Sequence, residues 1–215
     1  MSSTIASTVN SQATALPTPQ RVAAPAALAY GRKERVSTSG IWVGVFAITM
    51  SFAAFSSALF VREGTSDWGH LTLPSVLYVN TLVLLVSSLT LESARRALAA
   101  DPSENLEGTR KASAWVLITL LLGLAFCAGQ FHAWQELRAE GIYLATNPNS
   151  SFFYLLTFLH ALHVFVGILV LVYLAGRLMA SHTTFRRSLF DNTAVYWHFM
   201  GVLWVYLLLL CRMKL

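Results

Sequence analysis

The sequence has 215 residues, of which 55% are hydrophobic and only 12% charged, with a net charge of +5 and a pI near 9.5. Soluble domains carry about twice that charge fraction, so the composition excludes an ordinary soluble domain and points to a polytopic membrane protein. A positive balance can mark a nucleic-acid binder, but here the basic residues sort by loop, and nucleic acid is excluded as a partner.

Residues 1–39 are rich in Ser, Thr, Ala and Pro. They lack the apolar centre of a signal peptide and are predicted to form a retained, disordered cytoplasmic tail. Residues 40–215 are predicted to form one domain, an all-α integral membrane bundle of five transmembrane helices. The spans run approximately over Gly40–Val61, Leu73–Leu91, Ala112–Trp134, Ser151–Leu174 and Thr193–Leu210. Each is close to the ~20 residues needed to cross the hydrocarbon core. Each must be helical, because an open strand would leave backbone groups unpaired in lipid. Pro74 is expected in the first turn of the second helix, where its missing N–H costs little.

The charges orient the bundle. Arg21, Arg32, Lys33, Arg35, Arg95, Arg96, Arg110, Lys111, Arg177, Arg186 and Arg187 all fall on the side of the N-terminus, eleven of the 15 basic residues. The positive-inside rule therefore predicts a cytoplasmic N-terminus and a periplasmic C-terminus. The first span carries small residues at Gly40, Gly44, Ala47, Ser51, Ala54 and Ala58, a heptad seam suited to close helix packing within the bundle or against a partner. The second carries Asn80, Thr81, Ser87 and Ser88 on one face, which need partners in lipid, most simply interhelical hydrogen bonds. Cys127 and Cys211 lie in different spans without a metal-type spacing and are expected to be free thiols.

No Asp, Glu, Lys or Arg lies in the middle of any span. Ion-coupled transporters and proton pumps place ionisable groups there, so this chain is not expected to move ions or solutes alone. The histidines are the exception to an apolar core. His160 and His163 sit three residues apart on one face of the fourth span, about 13–18 Å into it at ~1.5 Å per residue, and His198 enters the fifth. Haem or metal ligation and polar packing between helices both remain open readings at this point. One helix face supplies both residues of the pair, whereas a bis-histidine haem usually draws on facing helices, and no HExxH motif exists.

The last two spans resemble subunit III of the haem–copper terminal oxidases, the cytochrome c and quinol oxidase family. That family shows a run like T-G-x-H-G-x-H-V-x-x-G on its penultimate helix; here Thr157, His160, His163, Val164 and Gly167 occupy it. Its last helix is preceded by an acid and carries Y-W-H-F-V-D-x-x-W; here Asp191 precedes Tyr196, Trp197, His198, Phe199, Met200, Gly201 and Trp204. The second span, with Pro74, Asn80, Thr81, Ser87 and Ser88, is similar to the family as well. The resemblance covers residues 40–212 and corresponds to the short, five-helix form of the subunit. Two departures stand out. A membrane glutamate found in many members is replaced in the run Ala47–Thr49, and the acid after Y-W-H-F-V is Gly201. Proton conduction attached to those acids does not carry over.

The resemblance implies a non-catalytic, cofactor-free subunit of a proton-translocating oxidoreductase in a bacterial inner membrane. Haem and copper belong to partner subunits I and II. Such a subunit packs on subunit I, orders phospholipid and supports proton uptake and turnover stability; membership of a respiratory supercomplex is left open. It implies helix-packing roles for Asn80, His160, His163, Gly167, Tyr196, Trp197, His198 and Trp204. Lipid contacts are expected at Arg177, Trp42 and Trp197. Glu92 and Asp191, with Asp101, Glu104, Glu107 and His182, are expected as cytoplasmic groups near proton entry. Close alternatives are the helper subunit of a nitric oxide reductase or of a quinol oxidase. A free-standing haem- or metal-binding membrane protein is the alternative from another class.

Overall fold

The computed structural model describes residues 25–62, 73–100, 106–144, 147–180 and 187–214. These residues form five helices: α1 (Pro25–Arg62), α2 (Val76–Ala100), α3 (Leu106–Ala139), α4 (Pro148–Met179) and α5 (Arg187–Lys214). All five are long and apolar enough to cross a membrane. Apart from the start of α2, the helices run beyond the expected spans. Hydropathy marks only the part immersed in hydrocarbon, whereas strong helix formers such as Arg, Lys, Glu and Ala carry the helix further.

The largest departure is at α1, which begins at Pro25, so residues 25–39 are helical where a disordered tail was expected. Proline at the first helical position is pre-organised for a helix, and the stretch that follows is rich in Ala, Leu, Arg, Lys and Glu. Residues 1–24 lie outside the described residues. Pro74 also differs from expectation. It precedes α2 by two positions, and its carbonyl accepts the Leu77 N–H at 3.2 Å.

Four helices close a ring in which α2 packs on α3, α3 on α4, α4 on α5 and α5 back on α2. Among the described residues α1 touches only α4 and α5, from outside the ring. It does so through Phe52, Ser56 and Leu59, one face at helical spacing. The small-residue seam of α1 does not serve the bundle: Ala47, Ser51, Ala54 and Ala58 are exposed, and a Cβ at Gly40 or Gly44 would meet nothing within 4 Å. The ring interior is filled by large side chains, notably Trp197, Trp204, Phe126 and Phe153. In a bilayer such filling acts through dispersion and close packing, because lipid is as apolar as the side chains.

The α3–α4 connection is short and built. Gly141 takes φ +80°, the left-handed conformation that glycine adopts without strain after a helix end. The Ile142 N–H reaches back to the Leu137 carbonyl at 3.0 Å. Pro148 then starts α4, and the Ser150 hydroxyl accepts the Asn147 N–H at 3.2 Å.

Candidate functional site

The bundle carries a ladder of polar contacts, each joining two helices. From α5, the Trp197 indole donates to Ser87 Oγ on α2 at 3.0 Å, and the Trp204 indole donates to Thr81 Oγ1 at 3.0 Å. These two tryptophans are seven residues apart and their acceptors six, so two antiparallel helices meet twice, about two turns apart. From α2, Asn80 Nδ2 donates to the Phe126 carbonyl on α3 at 3.4 Å, and Thr90 shares a 2.8 Å hydroxyl contact with Thr119. The Trp134 indole on α3 donates to Thr157 Oγ1 on α4 at 3.2 Å. Tyr196 on α5 donates to the His163 carbonyl on α4 at 2.9 Å, and Tyr206 donates to Ser56 on α1 at 2.9 Å. Every contact between neighbouring ring helices thus has a polar tie as well as an apolar seam.

Glycine makes the approach possible. A Cβ at Gly123 would lie 2.8 Å from the Trp197 ring, and one at Gly167 would lie 3.1 Å from the same ring on its other side. A Cβ at Gly129 would collide with the Asn80 amide. The indole of Trp197 is thereby clasped between α3 and α4 while its nitrogen reaches α2.

The two histidines of α4 part company. His163 Nδ1 lies 2.7 Å from its own helix's Leu159 carbonyl, and its ring meets Phe52 of α1 edge-on at 5.9 Å. His160 is fully buried with its ring 5.1 Å from Trp204 and 5.9 Å from Phe126. Neither of its ring nitrogens has a hydrogen-bond partner among the described residues. His160 meets α5 by ring contact with Trp204, and the α4–α5 hydrogen bond runs from Tyr196 to the His163 backbone carbonyl. Gln130 is the other buried side chain with both polar atoms unpartnered among the described residues. It lies one turn from Phe126, which touches His160, and one turn from Trp134, which is bonded to Thr157.

His198 is half-buried on α5, within electrostatic reach of Glu92 and Arg95. Among the described residues no group of three or more His, Cys, Asp or Glu could hold a metal ion. Cys127 and Cys211 are both free thiols.

At the end of the bundle formed by the C-terminus of α2 and the N-terminus of α5, Glu92 and Asp191 come together around Arg95. Arg95 Nε and Nη2 reach the two Glu92 oxygens at 2.9 and 3.1 Å, Arg96 Nε adds a contact at 3.1 Å, and Arg95 Nη1 lies 3.8 Å from Asp191. Glu107 pairs with Lys111 at 2.9 Å. Asp101, Glu104 and His182 lie outside the described residues.

The lipid candidates divide. Trp42 is exposed on α1, and Arg177 stands in the last turn of α4. Trp197 is corrected: it is 1% exposed and bonded to Ser87, so it faces the ring interior and no lipid. Sequence reasoning missed Gly123, Gly129, Gln130, Thr119 and Trp134, all on α3. Interior glycines inside a predicted span were the available signal, since glycine weakens a helix unless a neighbour comes close.

The profile described as cytochrome c oxidase subunit III matches residues 31–213. A cytochrome c oxidase subunit 3 of Synechocystis sp. is 31% identical over 177 residues, covering 81% of this chain and 70% of that protein. A probable cytochrome c oxidase subunit 3 of Mycobacterium bovis is 33% identical over 126 residues, covering 58% and 59% of the two chains. A quinol oxidase subunit 3 of Bacillus spizizenii is 27% identical over 177 residues, covering 80% and 84%.

Proposed function

The chain belongs to the cytochrome c oxidase subunit III family, and from that premise we propose that it is the accessory, cofactor-free subunit of a respiratory haem–copper oxygen reductase. It is a multi-pass protein of a bacterial inner membrane, part of an oxidase complex of aerobic electron transport. In the proposed reading it packs on subunit I, and subunits I and II hold the haem and copper. The N-terminus is cytoplasmic and the C-terminus periplasmic, as the loop charges favour. The observation that carries this reading is the ring of helices tied by Trp197, Trp204 and Asn80: the family motifs are spent on holding the subunit together. What remains for function is its surface and its lipid.

Two finer roles follow in the same reading. Arg177, with Trp42 as an exposed apolar companion, holds a phospholipid headgroup at the cytoplasmic face. Glu92 and Asp191, gathered around Arg95, form a charged patch that sustains proton uptake by subunit I. Neutralising both as Glu92→Gln and Asp191→Asn is expected to shift the pH dependence of turnover; an unchanged profile removes the proton role and leaves an ion-paired clasp between α2 and α5.

Deleting the chain and following oxygen consumption tests the main reading. The initial rate should persist, and activity should then decay faster during turnover. Oxygen reduction by the isolated chain, or a Soret band in its spectrum, would overturn it in favour of a haem-binding protein. The Bacillus relative supports a second reading, in which the electron donor is quinol; the substrate oxidised by the purified complex separates the two. A nitric oxide reductase partner would instead show as nitric oxide consumption by the co-purified complex.

A further inference from the structure

We propose that the groove between the last turn of α3 and the first turns of α4 is a phospholipid site, with the lipid phosphate held by Arg138. The groove encloses about 570 Å³ and is lined by Arg138 and Trp134 from α3, Tyr143 and Leu144 from the connection, and Tyr154, Leu155 and Phe158 from α4. It lies at the opposite end of the bundle from Arg177. It rests on the chain being membrane-embedded, not on the subunit assignment.

The walls are fixed before any ligand arrives. The left-handed turn at Gly141 folds the chain back so that Tyr143 and Leu144 form one side. The Tyr154 hydroxyl donates to the Ile142 carbonyl at 2.9 Å and fastens that turn to α4. The Trp134 indole is held by Thr157 at 3.2 Å, with its ring 6.4 Å from that of Phe158. Pockets that bind small molecules are commonly concave, largely pre-formed and mostly apolar with a few placed polar groups, and this groove has that build.

Its chemistry changes with depth as a phospholipid's does. Arg138 stands one turn beyond Trp134, about 6 Å nearer the helix end. Phe158 lies one turn further into the membrane than Tyr154. A cation therefore caps the groove, tyrosines and an indole occupy the interfacial layer that these rings favour, and Leu155 and Phe158 carry it into the hydrocarbon. Leu155 and Phe158 are 40% and 57% exposed, so the groove opens sideways to acyl chains. Arg138 donates to the Tyr154 hydroxyl, which draws the guanidinium into the groove, and makes no ion pair with a described carboxylate. Glu136, two residues before Arg138 on α3, is turned off its helix face, and Glu140 lies past the helix end. A guanidinium fork fits a phosphate through two parallel hydrogen bonds, and the neutral ring of a quinone offers it no such partner.

The test uses the protein purified with its complex and reconstituted in phosphatidylethanolamine vesicles doped with a phosphatidylglycerol carrying a diazirine near the glycerol. After illumination, adducts are mapped by peptide mass spectrometry. Adducts should concentrate on Tyr143, Leu144 and Leu155 and fall roughly tenfold in Arg138→Gln, the loss of one charge-assisted contact. Arg138→Lys should restore part of the labelling. Phe158→Trp, which fills the groove without touching Arg138, should block labelling in an assembled complex even if Arg138→Gln assembles poorly. Labelling spread evenly over the exposed faces of α1 and α2, or unchanged in Arg138→Gln, would reduce the groove to ordinary annular lipid contact and overturn the proposal. Displacement of the probe by an isoprenoid quinone but not by unlabelled phosphatidylglycerol would overturn it in favour of a quinone site.

Discussion

Trp197 shows how much a single side chain organises here. Its nitrogen bonds to Ser87 while its ring fills the space that Gly123 and Gly167 leave open. Trp197→Phe should lose about 1 kcal/mol for the interhelical hydrogen bond and more for the gap where the indole stood. The thermal midpoint of the purified complex should drop accordingly. His160 behaves differently, since its ring nitrogens have no partner among the described residues and its contacts are with Trp204 and Phe126. His160→Ala should cost about 2–4 kcal/mol through the cavity it leaves. His160→Leu, which fills most of that volume without an unpaired polar group, should cost far less. A haem spectrum lost in both variants while the complex assembles would show that His160 has a ligand role instead.

At the scale of the element, α1 and α3 contrast. Both hold glycines, but Gly123 and Gly129 of α3 face a neighbour, whereas Gly40 and Gly44 of α1 meet nothing within 4 Å. Gly129→Ala should destabilise strongly, because the methyl group meets the Asn80 amide, itself anchored to Phe126. Gly167→Ala should cost less, since a ring edge at 3.1 Å has to move by only a few tenths of an ångström. Gly44→Ala should leave the stability of the chain itself unchanged or raise it by about 0.5–1 kcal/mol, the usual gain from removing a mid-helix glycine. Unfolding of the three variants in detergent micelles, ranked by denaturant midpoint, checks the order. A Gly44→Ala loss as large as that of Gly129→Ala would mean that α1 packs through its small-residue face after all.

For the whole molecule, the polar ladder and the charged end have separate energetic roles. The ladder lies in hydrocarbon, where its groups have no water to fall back on, so it selects one register for four helices. The cluster of Glu92, Arg95, Arg96 and Asp191 is partly solvated, with side chains 24–80% exposed, and each such pair contributes on the order of 0–1 kcal/mol. Raising the salt concentration should therefore leave the stability of the isolated bundle nearly unchanged. A large loss of thermal stability between low and high salt would show that the α2–α5 clasp, rather than the ladder, holds the ring.

The five helices, their order and the presence of polar groups on α2 were legible in the sequence, because hydrocarbon forces any long apolar stretch to be a helix and makes each polar side chain conspicuous. The family was legible too, in the runs around His160 and Trp197. What the sequence could not settle was direction around each helix. In a soluble protein the apolar face points inward, but in a bilayer both faces are apolar, so Trp42 and Trp197 read alike until one is found exposed and the other clasped by glycines. For the same reason the small-residue seam of α1 could be placed inside or outside with equal right, and His160 could be read as a ligand or as a packing residue. Only the tertiary arrangement decides these points, because it depends on which surfaces fit within an ångström, and hydropathy carries no information about fit.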